Sequence, residues 1–270
     1  MPLSALNKIK LDENYWCGWD SFLKTIPALD THEGSVATWL NRLKPATFPK
    51  TFVPQSVLPS GVSYEAFIFE YHQIPTRDGL HDFFNGLCWL SFPKTKLSFN
   101  HIHQQQMAQL GTTQRGRVRD MLTVIDENGF LIECPDELWQ ALSNKQWIKA
   151  FIDLRALWQQ SRVMVFGHAL LEKLVNPYKA ITAHAIRIPT QLLDTKKETG
   201  FNQQDLQRID TYLAEYLSEK TLVHKPYIPI QIFGIPGWGN EEQNLAYYQD
   251  TSVFRTANVQ YTESTLKTKT

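Results

Sequence analysis

The segment from Leu80 to Leu90 is apolar on almost every face that a helix would present. Such a helix is stable only where other elements surround it, so it should lie inside the core. Its polar exceptions form one group, since His81 and Asn85 are four residues apart and Asp82 lies beside them. Polar side chains on a buried helix must find hydrogen-bond partners or line a wet pocket. The segment therefore predicts a pocket, and it does not specify a reaction.

The charge balance of the chain excludes a globally basic or acidic protein. Its 270 residues include 27 basic and 27 acidic side chains, which gives a formal net charge of zero. Nothing in this balance indicates general binding to nucleic acid or to anionic membranes. With 43% apolar residues, the chain can bury a substantial core in one large domain or two small ones.

The cysteines and the N-terminus indicate a reducing compartment. Cys17, Cys88 and Cys134 are far apart and odd in number, so they form neither a disulfide framework nor a zinc pattern. The N-terminus lacks the apolar run of a signal peptide. No window approaches the roughly 18 apolar residues of a membrane span. We therefore expect a soluble, cytoplasmic protein that does not bind membranes, and the sequence does not predict its oligomeric state.

Helical and β patterns alternate along the chain, which predicts an α+β fold. Asp78 is expected to cap the apolar helix. Pro93 is well placed to begin a second helix that Gly111 ends. Residues 118–134 predict a β-hairpin with its turn at residues 126–129. We expect a single domain of several helices packed on a small, mainly antiparallel sheet.

The chain is expected to have one core domain with a segment on either side. Closely spaced prolines between residues 45 and 59 break the N-terminal part into extended or turn pieces. We interpret residues 1–60 as a wrapping segment and residues 61–256 as the core domain. Residues 257–270 are polar and are predicted to form a flexible tail.

A second polar pair mirrors the first. His168 and Glu172 are four residues apart on a predicted helix and share one of its faces. If the two helix starts converge, both pairs and Asp82 line one cavity, which we take as the candidate catalytic set. Two imidazoles and two carboxylates in one cavity could perform general acid–base chemistry or bind a divalent metal.

Each of these features has a structural alternative. A histidine followed by a glutamate four residues later often forms only a local hydrogen bond, and a buried histidine at a helix start is often satisfied by backbone. The spacing also matches no known zinc signature, so the sequence leaves the cofactor and the identity of any metal open.

A basic stretch follows the apolar helix. No acidic residue occurs between Phe83 and Arg119, whereas the same window contains Lys96, Arg115 and Arg117. In a neutral protein this predicts a local positive surface, and we assign these three cations to binding an anionic small molecule or nucleic acid. A solvated basic face without function is the alternative.

Many short motifs are spread over about residues 60–256, the predicted core domain. They are Pro75–Arg77, His81–Asp82, Asn85, Trp89, Phe92–Pro93, Lys96, Asn100, Arg115–Gly116, Arg119–Thr123, Asp126–Glu127, Phe166–His168, Glu172, Pro177–Lys179, Gly234–Trp238 and Val253–Arg255. In this order they resemble one bacterial family, called Domain of unknown function 3025. The resemblance implies one continuous fold unit and a soluble bacterial protein, and it implies no activity.

Two functional hypotheses follow from the sequence. In the first, the polar cavity belongs to an enzyme that acts on an anionic, phosphate-bearing substrate, with hydrolysis as the reaction class and His81 or His168 as the base. In the second, the basic stretch at residues 94–119 docks nucleic acid or an acidic protein without catalysis. In a third hypothesis, the buried polar residues are purely structural.

Overall fold

The computed structural model describes residues 13–23, 34–111, 115–194, 200–239 and 241–256. The predicted tail at residues 257–270 lies outside these ranges. The α-helices of the described residues are α1 (Asp20–Leu23), α2 (Val36–Leu43), α3 (Tyr64–Tyr71), α4 (Leu80–Ser91), α5 (Pro93–Leu110), α6 (Arg117–Asn128), α7 (Asp136–Ser143), α8 (Arg155–Trp158), α9 (His168–Leu174), α10 (Gln203–Tyr216), α11 (Glu219–Leu222) and α12 (Leu245–Tyr248). The strands are β1 (Thr51–Pro54), β2 (Gln73–Thr76), β3 (Gly129–Glu133), β4 (Arg162–Val165), β5 (Thr182–Arg187) and β6 (Ile228–Gln231).

The strands form two small sheets that the helices surround. The larger sheet has the order β4-β3-β5-β6, with β3 antiparallel to β4 and parallel to β5, and with β5 antiparallel to β6. The smaller sheet is the parallel pair β1-β2. The predicted α+β fold with a small, mainly antiparallel sheet is therefore confirmed, and the parallel pair is an addition to it. Within the described ranges, no helix combines the length and apolar character needed to cross a membrane.

The predicted hairpin at residues 118–134 is wrong in its first half. Residues 117–128 form helix α6, and only Gly129–Glu133 is a strand. Val118, Leu122 and Ile125 are buried at helical spacing, so their packing outweighs the β propensity of the segment. Strand β3 pairs with β4 and β5 rather than with the residues before it.

Helix α4 is buried, as its composition predicts. Its apolar residues Phe83, Phe84 and Leu87 are at most 1% exposed. Gly86 allows α2 to approach closely, because a Cβ atom there would lie 2.1 Å from a methyl carbon of Leu40. The glycine is thus a packing requirement inside a helix, where its intrinsic propensity is unfavourable.

The N-terminal segment belongs to the same hydrophobic core. Trp16 is 1% exposed and stacks on Phe84, with ring centroids 6.1 Å apart. Asp78 does not cap α4, whose N-cap is Gly79. Its carboxylate instead accepts a hydrogen bond of 2.9 Å from the backbone N–H of Val36, the first residue of α2. The loop before α4 therefore anchors the start of α2.

Helix α5 begins at Pro93 and is followed by Gly111, as predicted. Its N-cap residue Phe92 offers no side-chain acceptor, so a neighbouring helix supplies one. Asp210 of α10 accepts hydrogen bonds from the backbone N–H groups of Lys94 and Thr95, at 3.0 and 2.8 Å, and from the Thr95 hydroxyl at 2.8 Å. This buried carboxylate satisfies the start of α5 and ties it to α10.

We expect Asp210→Ala to lower the free energy of unfolding by about 2–4 kcal/mol, because buried donors at the start of α5 lose a charged acceptor. Urea denaturation at neutral pH measures the change. Glu215→Ala, which removes an exposed carboxylate from the same helix, is the matched control and should stay within about 0.5 kcal/mol of the wild type. Equal effects of the two substitutions would contradict the assigned role of Asp210.

Candidate active site

A cavity of about 450 Å³ lies where α3, α4, α5, α6 and α9 meet. Four of the five predicted catalytic residues line it, and these are His81, Asp82, Asn85 and His168. The rings of His81 and His168 are in edge-to-face contact, with centroids 4.6 Å apart. Glu172 lies next to the cavity lining, with its Oε2 atom 3.0 Å from His81 Nδ1. The structure therefore brings all five residues together.

The pairing among these residues differs from the local pairs that their spacing suggests. Glu172 binds His81 of α4, not His168 one turn before it on its own helix. Asn85 does not bind His81 one turn earlier. It instead donates to Tyr64 of α3 and accepts from Lys96 of α5. Contacts between helices, rather than contacts along one helix, therefore organise the site.

Gly167 sets the position of His168. A Cβ atom on Gly167 would lie 2.4 Å from the carbonyl group of Glu127, so only glycine allows the start of α9 to touch the end of α6. The Gly167 backbone N–H also donates to the Gly129 carbonyl oxygen, at 2.9 Å. This close approach places His168 Nδ1 at 3.7 Å from a carboxylate oxygen of Asp126.

A buried cation lies behind the cavity. The Lys96 ammonium, whose side chain is 4% exposed, donates to Asp126 Oδ1 at 2.5 Å and to Asn85 Oδ1 at 2.9 Å. Burial disfavours ionisation of Asp126, but the positive charge of Lys96 and its hydrogen bond outweigh this effect and lower the pKa of Asp126. We predicted from the sequence that Lys96 binds the substrate. The structure instead surrounds its ammonium with protein groups.

His168 is a neutral imidazole at physiological pH. Burial is the main cause that lowers its pKa to about 4, while Asp126 opposes this shift and the positive charge of Lys96 adds to it. Burial likewise lowers the pKa of His103, a second histidine in the cavity lining. The interior of the cavity therefore presents uncharged imidazole rings.

His81 occupies a more accessible position. Its side chain is 39% exposed and that of Glu172 is 41% exposed. Since a carboxylate can only accept, Nδ1 of His81 carries the proton in this contact, and in the neutral ring Nε2 keeps its lone pair. A carboxylate that orients an imidazole in this way leaves a competent general base.

The charged lining is mixed in sign. Three arginines line the cavity, namely Arg77, Arg115 and Arg119, together with four carboxylates: Glu65, Asp82, Asp126 and Glu127. Asp82 accepts hydrogen bonds from the backbone and the guanidinium of Arg77, at 2.7 and 2.9 Å. Arg115 donates to Asp120, at 3.1 Å, and this pair is about half exposed. Much of the negative charge is therefore already paired within the protein.

The predicted basic surface is divided among different environments. Lys94 donates to Thr211 of α10, at 2.8 Å, Lys96 is buried, and Arg115 lines the cavity. Arg117 is exposed and does not line the cavity, contrary to its assigned role beside Arg115. These cations are close in sequence but do not share one surface, because α5 and the residues near the start of α6 turn their side chains in different directions.

Tyr64, Arg119 and Asp126 are among the cavity residues that the predicted catalytic and binding sets lack. Asp126 was assigned to a turn because the segment was read as a hairpin. Arg119, Thr123 and Asp126 have helical spacing and all line the cavity. A helical reading of residues 117–128 would have placed them on one face.

Among the residues that the structure describes, no group of three or more His, Cys, Asp or Glu side chains is arranged to hold a metal ion. The side chains that line the cavity carry imidazole, carboxylate, guanidinium and phenol groups.

The buried His168 makes stability depend on pH. Its folded-state pKa is lower than its ordinary value of 6.5, so the unfolded chain binds a proton that the folded protein excludes. Its contribution to stability is fully present above pH 6.5 and is lost as pH falls toward about 4. The unfolding free energy of the wild type should fall as the pH is lowered from about 7 to about 5. In His168→Gln this fall should be smaller by about 2 kcal/mol. Urea denaturation at both pH values tests this, and equal pH dependence in the two proteins would refute it.

Comparison with known proteins identifies the family. Residues 50–258 match the model of a family described as Protein of unknown function (DUF3025). No curated protein and no solved structure matches the chain significantly. The matched region starts just before β1, so it includes both strands of the smaller sheet as well as every cavity residue named above. Since the match covers well over half of its residues, the chain belongs to the DUF3025 family, as its motifs predict.

Proposed function

We propose that this protein is a hydrolase of phosphoesters in which His81, oriented by Glu172, acts as the general base. The observation that carries the proposal is the contact of 3.0 Å between His81 Nδ1 and Glu172 Oε2 at the edge of a cavity of about 450 Å³. The carboxylate of Glu172 fixes the tautomer of His81, and proton abstraction requires the defined lone pair that this leaves on Nε2.

Two arginines of the cavity are suited to bind the phosphate group of the substrate. Arg115 and Arg119 lie on the same cavity as His81, and guanidinium groups match the geometry of phosphate oxygens. Arg115 is 55% exposed and its partner Asp120 is 51% exposed, so exchanging this partner for a substrate phosphate costs little. The carboxylates Asp82 and Asp126 have partners of their own, which reduces their repulsion of an anion.

The reaction requires a water molecule between His81 and the phosphorus atom. The Nε2 atom of His81 takes a proton as the water oxygen forms a bond to phosphorus. The bond between phosphorus and the leaving oxygen breaks, and the leaving group departs with the electron pair. Glu172 stabilises the imidazolium that forms on His81, and solvent removes its proton afterwards.

The alternative function, a non-catalytic binding module that uses residues 94–119, has less support. It requires one continuous basic surface, whereas Lys96 is buried and Lys94 contacts α10. The paired histidines also have no role in it.

A cytoplasmic location in a bacterial cell is part of the same proposal. The three cysteines are free thiols, and Cys88 and Cys134 are buried. Free thiols are typical of proteins from a reducing compartment.

We expect purified protein to release p-nitrophenol from bis(p-nitrophenyl) phosphate or p-nitrophenyl phosphate. His81→Gln should lower kcat/KM by a factor of about 10²–10⁴, since a general base contributes that much. Glu172→Gln should have a smaller effect, because the base remains and only its orientation is lost. His224→Gln, at an exposed histidine beyond α11, is the control and should match the wild type.

Three results would count against this function or against the role of His81 in it. If wild-type protein cleaves neither substrate, phosphoester hydrolysis is excluded as its function. Cleavage that is unchanged in His81→Gln would remove His81 as the base. Salt-sensitive binding of a polyanion together with absent turnover would favour the binding module instead.

A further inference from the structure

We infer that Tyr64 is a further catalytic residue, which donates a hydrogen bond from its hydroxyl group to a negatively charged oxygen of the substrate. This inference rests on the proposed function, since it names the group that stabilises charge at the same cavity. It follows from a count of hydrogen-bond donors and acceptors around Asn85.

Lys96 fixes the orientation of the Asn85 amide. An ammonium group has only donors, so the Asn85 atom that lies 2.9 Å from Lys96 Nζ must be the carbonyl oxygen Oδ1. The other end of the amide, Nδ2, then points to Tyr64 Oη at 3.0 Å. An NH₂ group has only donors, so Tyr64 accepts this hydrogen bond.

Tyr64 is therefore left with an unused proton. Within the part of the chain that the structure describes, the Asn85 contact is the only hydrogen bond of the Tyr64 side chain. The hydroxyl proton can point away from Asn85 and is available to a ligand. A donor that has no acceptor among the described residues and lies on a cavity wall fits an anionic atom of the substrate.

The phenol keeps this proton at physiological pH. Burial is the largest cause that raises the pKa of Tyr64 well above its usual value, and the negative charges of Glu65 and Asp82 act in the same direction. Asn85 has the opposite, smaller influence. The hydroxyl group therefore acts as a donor and not as a base.

Tyr64 and the proposed base are held by the same helix. Asn85 and His81 are one turn apart on α4, and both line the cavity. Because Asn85 holds Tyr64 Oη, the phenol is fixed relative to His81. Both groups line one cavity, so we assign His81 to the attacking water and Tyr64 to an oxygen of the same bound phosphate. Tyr64 transfers no proton in this role and only stabilises developing charge.

The first test is the hydrolysis of bis(p-nitrophenyl) phosphate by Tyr64→Phe, which removes the hydroxyl group alone. We expect kcat to fall by a factor of about 10²–10³, as for removal of one preorganised donor, with KM changed less than kcat. Tyr71→Phe is the matched control, because Tyr71 lies on the same helix α3 and is 57% exposed.

The second test measures binding of inorganic phosphate by isothermal titration calorimetry and needs no turnover. The Kd of Tyr64→Phe should rise by about 10-fold relative to Tyr71→Phe, since a hydrogen bond to a charged group is lost. Weakened phosphate binding without any hydrolysis by the wild type would refute the proposed reaction while retaining Tyr64 as the anion donor. Values of kcat and Kd for Tyr64→Phe that equal those of Tyr71→Phe would overturn the inference.

Discussion

The buried ammonium of Lys96 is the interaction on which the arrangement of the site depends. It lies on α5, contacts Asp126 of α6 and Asn85 of α4, and is 5.4 Å from the centre of the Trp89 ring. A buried cation is tolerated only when an ionised partner and further acceptors surround it. Three helices must therefore keep their relative positions for this one charge to be satisfied.

The two histidines of the cavity have different properties. The Lys96 ammonium holds Asp126 beside His168 while adding positive charge near that ring, and His168 stays buried and neutral. His81 lies farther toward solvent and has a carboxylate partner of its own, Glu172. Two rings in direct contact are thus suited to different tasks, one to proton transfer and the other to shaping the cavity.

The local sequence pattern predicted those helices whose signals lie within a few neighbouring residues. The apolar composition of α4 predicted its burial, and Pro93 and Gly111 marked the start and end of α5. The same pattern placed His81 and Asn85 on one face. It failed for α6, where β-prone residues concealed a helical period, and so it missed Asp126 and Arg119.

Contacts between side chains that lie far apart in sequence could not be predicted from local pattern. Glu172 was assigned to His168, which is near it in sequence, but binds His81 across the interface between α4 and α9. The burial of Lys96 likewise depends on how α4, α5 and α6 pack, because the sequence around a lysine does not tell whether neighbouring helices will cover it. Tertiary packing determined both outcomes.

The wide sequence separation of these contacts has a consequence for folding. His81 and Glu172 are 91 residues apart, and Asp210 caps α5 across 115 residues. Contacts of such range form only after long loops have closed, so a partly folded chain contains the helices without the site. The proposed phosphate binding would then depend on the native state itself and would disappear before helical content does when the chain begins to unfold. Truncated fragments of the chain that remain helical would not carry it.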